Sequence, residues 1–169
     1  MKINILFATL DCGIEGIPNI LLEPRDDLEY IISHQVTDEK YRSIPEGLVR
    51  KDVRVFQMDG RGLSRNRNRG LALADGEVII LADDDVRFEE AYINTVKETF
   101  ASDSGLDVAC FRIATPDGQP AYKDYAAKPY LLNEEEHHYI STLEITFRLK
   151  SVREANIYFD ERFGLGSRL

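Results

Sequence analysis

Residues 77–86 read EVIILADDDV: an unbroken apolar run from Val78 to Ala82, then Asp83, Asp84 and Asp85. Five apolar residues without polar alternation suit a strand covered on both faces, as in a parallel sheet. Three adjacent carboxylates repel one another and resist leaving water. A strand that buries itself and then delivers them to one point therefore needs something to offset the charge. In open α/β sheets, ligands gather at the carboxyl ends of strands, above all where the strand order reverses. If the chain stays extended, Asp83 and Asp85 project one way and Asp84 the other. A pair so spaced suits a hard divalent cation, Mg²⁺ or Mn²⁺, which keeps water and takes substrate phosphates as further ligands. The plain alternative is a solvated acidic loop, and the burial of the preceding strand weighs against it.

Just upstream, GRGLSRNRNRG (Gly60–Gly70) places Arg61, Arg65, Arg67 and Arg69 close together. Ser64 is a candidate N-cap for a helix running to about Ala74, with Asp75-Gly76 as its stop. On that helix Arg65 and Arg69 share a face and Arg67 points elsewhere. A charged surface helix accounts for Arg61, Arg65 and Arg69. Asn66 and Asn68 need another reason, because asparagine is a poor helix-interior residue. A helix N-terminus flanked by guanidinium groups is a natural place for phosphate. Basic helix, buried strand and acidic tip together read as a site for a metal-bound diphosphate.

Further out, Ile3–Leu10, LEYIIS and VRVFQM (Val53–Met58) read as strands, and residues 38–51 as a helix fragment and turn. RFEEAYINTVKETFASDSG is an amphipathic helix with Tyr92, Ile93, Val96 and Phe100 as its inner stripe, and DVACFRIATPDGQP a fifth strand and turn. Residues 121–138 form an irregular segment with a short helix, and YISTLEITFRL a strand leading to a helix through KSVREA. NEEEHH (Asn133–His138) reads as a helix start capped by Asn133, with the glutamates complementing the dipole, rather than as a metal site. Strands alternating with helices give an α/β domain with a mostly parallel central sheet.

At 169 residues the chain suits one domain with a real core. Its formal charge of -9 argues against nucleic acid, including RNA binding through the arginine helix, because backbone binding rests on broad positive potential. No apolar run approaches the roughly 18 residues of a membrane span, and MKINILFATLD reads as a first strand rather than a signal peptide. Cys12 and Cys110 make no disulfide framework and suit a reducing cytoplasm.

GLSRNRNRGLALADGEVIILADDDV resembles the core signature of family 2 glycosyltransferases. Arg67, Asn68, Gly70, Ala74, Gly76, Glu77, Asp83 and Asp85 fall on its pattern without a gap. ILFATLD, with Thr9, is similar to the family's first strand, and FDERFGLG to the segment ahead of its acidic catalytic motif. The resemblance implies a GT-A-like nucleotide-binding sandwich over residues 1–169. It also implies inverting transfer of a sugar from a nucleotide-diphosphate donor to an acceptor hydroxyl in polysaccharide or lipid-linked glycan assembly. It places the metal on Asp85 with Asp83, sets Asp83 or Asp84 against the ribose or donor sugar and Arg67 against the base or diphosphate, and makes Asn68 part of the nucleotide-sugar site. Thr9 would line the base pocket, largely through its backbone. Family habit alone would place such a cytoplasmic protein at the inner membrane face as a peripheral one.

Two departures bear on these expectations. Where the family's second strand ends in paired aspartates, YIISHQ puts His34 and Gln35; Gln35 both donates and accepts, so it can read a base edge. For His34 a packing role and a ligand role fit equally. The family's catalytic carboxylate should follow FDERFGLG, and no such motif follows Gly166, so the usual catalytic-base region is expected to be absent; Glu144, Asp160 and Glu161 are not placed in that role by the pattern. One rival reading is a non-catalytic nucleotide-sugar-binding domain. Another is a sugar-phosphate nucleotidyltransferase, against which DCGIEGIPN offers glycines but no basic residue.

Overall fold

The computed structural model describes residues 1–133 and 139–167. Six strands form one sheet in the order β3-β2-β1-β4-β6-β5: β1 Ile3–Leu10, β2 Leu28–Val36, β3 Val53–Asp59, β4 Val78–Ala82, β5 Val108–Cys110 and β6 Ile145–Arg148. β1 to β4 run parallel; β6 is antiparallel to both β4 and β5. The expected mostly parallel sheet is what the chain forms. Residues 134–138, and with them most of NEEEHH, lie outside the described residues.

Strand parity divides the core in two. Ile3, Ile5 and Phe7 of β1 and Val78, Ile80 and Ala82 of β4 share one face, covered by Ile93, Val96 and Phe100 of helix α2 (Glu90–Ser102) and by Ile14 and Ile17 of short 3₁₀ turns. Leu6, Ile79 and Leu81 face the other way, against Leu71 of helix α1 (Leu63–Leu73) and Leu149 of helix α3 (Leu149–Glu154). All five residues of β4 are buried, as a strand covered on both faces requires. α1 lies especially close to β1: a Cβ on Gly70 would stand 2.1 Å from Leu6 Cδ1. Gly76 lies against Asn4, where a Cβ would stand 2.8 Å from Asn4 N, and the Asn4 Oδ1 accepts the Asp75 and Gly76 amides at 2.9 and 2.6 Å and so ends the turn into β4.

Some local expectations are corrected. Ser64 is not the N-cap of α1. Gly62 is, at φ 133, and Ser64 sits one residue inside the helix. Its hydroxyl donates to the Phe163 carbonyl at 2.7 Å, and the first helical amide, Leu63 N–H, donates to Leu165 O at 3.0 Å. A distant segment thus does the work a capping side chain does elsewhere. Residues 38–51 hold only two 3₁₀ turns, Glu39–Tyr41 and Glu46–Leu48, rather than a helix fragment. No helix occurs among the described residues of 121–133.

Candidate functional site

From β1 the chain adds β2 and β3 on one side, then crosses to place β4 on the other. The carboxyl ends of β1 and β4 are thus neighbours at the point where strand order reverses. Phe7 pairs with Ala82 there, so Thr9 and Asp83–Asp85 emerge side by side.

The three aspartates separate by face. Asp83 continues the parity of Leu81 and turns toward α1, where Arg67 Nη2 donates to its Oδ1 at 3.0 Å. Arg67 itself is buried, its guanidinium 5.6 Å from the Phe159 ring centroid. Asp84 follows Ala82 to the opposite face, where Thr9 Oγ1 donates to its Oδ2 at 2.5 Å. Gly13 closes over that pair: a Cβ there would lie 2.0 Å from Asp84 Oδ2 and 2.5 Å from Thr9 Oγ1. Asp85 is exposed and makes no hydrogen bond or ion pair to any other described residue. The chain does not stay extended past Asp83. The Val86 amide donates to Asp83 O at 3.2 Å and closes a turn through Asp84 and Asp85. Asp83 and Asp85 therefore do not project as strand neighbours, a correction to the extended reading. Repulsion among the carboxylates is relieved by a guanidinium, a hydroxyl and water, one for each.

Other candidate residues occupy defined places. Thr9 O accepts from Asn66 Nδ2 at 3.1 Å, so the backbone expected to line a base pocket is bound to α1. Asn66 is buried with Oδ1 unpartnered. Gln35, opposite Leu10 at the end of β2, is buried on the α1 face, with Met58 Sδ, 4.0 Å from its amide, as its one side-chain hydrogen-bond partner among the described residues. His34 points to the other face, where Gln57 Nε2 lies 3.2 Å from its Nδ1 and the Asp11 carbonyl 2.9 Å from its Nε2. The Gln57 amide donates, so His34 accepts at Nδ1 and donates from Nε2. It is a satisfied packing residue that anchors Asp11. Burial, opposed by the Asp11 carbonyl, holds its pKa below the usual value. Asp11, at φ 51, accepts the Thr37 amide and hydroxyl, each at 2.7 Å. Burial raises its pKa, but those bonds outweigh it and hold the carboxyl below the usual range.

Asn68 is not among the strand-tip groups. Its amide is bound to Phe159 and Glu161 on the outer side of α1. Sequence reasoning also missed Gly13 and Phe159. The glycine spacing of DCGIEG was a signal for the first; Phe159 opens FDERFGLG, which marked a place in the family pattern but no partner.

Among the described residues no three His, Cys, Asp or Glu side chains converge on one point, so the protein alone offers no cage. Asp85 is open, and Asp83, two residues before it, engages one oxygen with Arg67. That suits a Mg²⁺-type ion held by one or two carboxylates and completed by water and phosphate.

Comparison with known proteins bears on this geometry. The model of the family described as glycosyl transferase family 2 matches residues 15–156, which include Arg67 and Asp83–Asp85. The glucosyl-dolichyl phosphate glucuronosyltransferase of Haloferax volcanii is 25% identical over 142 residues, covering 80% of this chain and 43% of that protein. The chain therefore spans less than half the length of that curated relative. The structure of S. aureus TarS 1–349 in complex with UDP-GlcNAc matches at TM-score 0.70 and 21% identity, over 100% of this chain and 52% of that one. A CMP:2-keto-3-deoxy-manno-octonic acid synthetase complexed with CTP matches at TM-score 0.52 and 12% identity, over 92% and 78%. Both structural likenesses speak to the fold alone.

Proposed function

Because the chain belongs to glycosyl transferase family 2, we propose that it binds a nucleotide-diphosphate sugar at the ends of β1 and β4. The sugar passes, with inversion, to an acceptor hydroxyl of a polysaccharide or lipid-linked glycan. The observation that carries this reading is the division of the three aspartates: Asp83 held by Arg67, Asp84 by Thr9, and Asp85 open. Asp83 and Asp84 would accept from ribose or sugar hydroxyls. Asp85 would hold Mg²⁺ or Mn²⁺, with the Asp83 oxygen that Arg67 does not engage as a second ligand. When bound, such an ion neutralises the charge that grows on a departing nucleotide diphosphate. Gln35 closes the end of β2, where its amide can read a base edge in place of the aspartates usual there.

Transfer also needs a general base within reach of the acceptor hydroxyl. Glu144 is buried, accepting from Lys123 Nζ at 2.7 and 2.8 Å and from the Ser141 amide at 2.7 Å. Asp160 is gripped by Arg162, whose guanidinium lowers its pKa to about 2. Glu161 accepts from Asn68. These engagements favour a second reading, in which the described residues bind donor without transferring it.

Calorimetric titration of the chain with UDP and then GDP, in Mn²⁺ and again in EDTA, tests the site. Binding should require the metal, vanish in Asp85→Ala and weaken in Arg67→Ala. If the folded protein binds neither nucleotide, or both variants bind as wild type does, the site is wrong. Donor binding without turnover of any UDP-sugar selects the second reading.

A further inference from the structure

Asn68 lies inside α1, where asparagine is a poor helix former, and its side chain pairs with a residue 91 positions away. Nδ2 donates to the Phe159 carbonyl at 2.9 Å, and Oδ1 accepts the Phe159 amide at 2.9 Å. This is the two-sided exchange one strand residue offers its neighbour. The second Nδ2 hydrogen reaches Glu161 Oε1 at 3.0 Å. Both donors of Asn68 are therefore occupied by residues 159–161. The Ser64 hydroxyl and the Leu63 amide each donate to a carbonyl, of Phe163 and Leu165, so the segment is fastened along α1 at three points.

The clip places one side chain against the site. The Phe159 ring lies 5.6 Å from the Arg67 guanidinium, and the same guanidinium donates to Asp83. Arg67 thus stands between an aromatic face and a carboxylate, and the aromatic face is held by Asn68.

We propose that Asn68 is a positioning residue of the donor site: it holds Phe159 against Arg67 and so fixes the guanidinium that orients Asp83, without touching the donor itself. This rests on the donor-binding reading of the strand tips. A merely structural clip would fasten the segment whatever ring Phe159 carried. A direct donor contact would make Asn68 matter whether or not the ring is present.

The test compares Asn68→Ala, Phe159→Leu and the double variant for Mn²⁺-dependent UDP affinity. Thermal melting confirms that each is folded. The Nε–H resonance of Arg67, identified by its loss in Arg67→Lys, reports the ring's position by its ring-current shift. Each single variant should weaken UDP binding about fivefold, as expected when a buried guanidinium loses its aromatic partner. The double variant should be no weaker than either, since contacting groups that act as one do not add. The Arg67 resonance should move similarly in both single variants. Unchanged affinity in Asn68→Ala, or an undiminished loss when Phe159 is already Leu, overturns the proposal. If the wild type binds no nucleotide diphosphate, the donor-binding reading fails, and the resonance alone decides whether Asn68 sets Arg67: a stationary signal in Asn68→Ala rejects it.

Discussion

Replacing Gly13 by alanine separates the function of the strand tips from their stability. Gly13 is not among the positive-φ residues, so its backbone accepts an L side chain and only contacts decide the outcome. The added Cβ would stand 2.0 Å from Asp84 Oδ2 and 2.5 Å from Thr9 Oγ1. Carbon–oxygen contact needs about 3.3 Å, so the carboxylate must withdraw by about 1.3 Å. The Thr9–Asp84 bond cannot survive that movement in place. A hydrogen bond to a charged group contributes about 1.5–3 kcal/mol. Asp84 is half-buried, so water replaces part of it, and alanine stiffens the unfolded chain by about 0.4–1 kcal/mol in the other direction. The net loss should be about 1 kcal/mol, a fall in Tm of about 2–4 °C for a chain of this size. If Asp84 faces the donor, UDP-sugar affinity should fall about tenfold in the same protein, equivalent to about 1.4 kcal/mol. Differential scanning fluorimetry and calorimetric titration read the two effects separately. A loss above about 3 kcal/mol would mean that Gly13 is a packing glycine whose removal disturbs the fold. A modest Tm change with unaltered affinity would remove Asp84 from the donor site.

Gly70→Ala should destabilise despite the better helix propensity of alanine. The gain of about 1 kcal/mol is set against overpacking of about 1–3 kcal/mol where the new Cβ would meet buried Leu6 Cδ1 at 2.1 Å. A raised urea midpoint would show that α1 can lift from β1 at little cost. His34 should make the protein acid-sensitive. Burial, chiefly, holds its folded pKa below the ordinary 6.5, so the unfolded chain takes the proton first as pH falls. That contribution is complete above about 6.5 and drains as pH falls from there toward the lower folded value. Urea midpoints at pH 7.5 and 5.5 should therefore differ more in the wild type than in His34→Gln; equal differences would contradict this role.

The sheet was legible because its signals are local. β4 announces itself by five apolar residues in a row, β3 by alternation, and α2 by the stripe of Ile93, Val96 and Phe100. The start of α1 was not legible. Ser64 is a good cap by residue type, but the helix starts one residue ahead of it, and its first amide, Leu63 N–H, is met by Leu165 O, about a hundred residues on. Asn68 is the converse case. Its unsuitability for a helix is plain in the sequence, while its partner, Phe159, lies 91 residues away. What a local pattern reports is that a residue needs a partner, and the fold decides which partner that is.

The acidic tip shows how far that principle reaches. Parity alone, carried on from Leu81 and Ala82, sends Asp83 to the α1 face and Asp84 to the other, and both side chains are found there with Arg67 and Thr9. Parity also requires Asp85 to follow Asp83, and it does not, because a turn closed by the Val86 amide intervenes. The turn keeps Asp85 out of competition with Asp83 for the single guanidinium. Had the strand run on, two carboxylates would have faced Arg67 on one side, and each would have weakened the other's pairing by like-charge repulsion. Ending β4 at Ala82 rather than two residues later is therefore what leaves one carboxylate uncommitted and open to solvent.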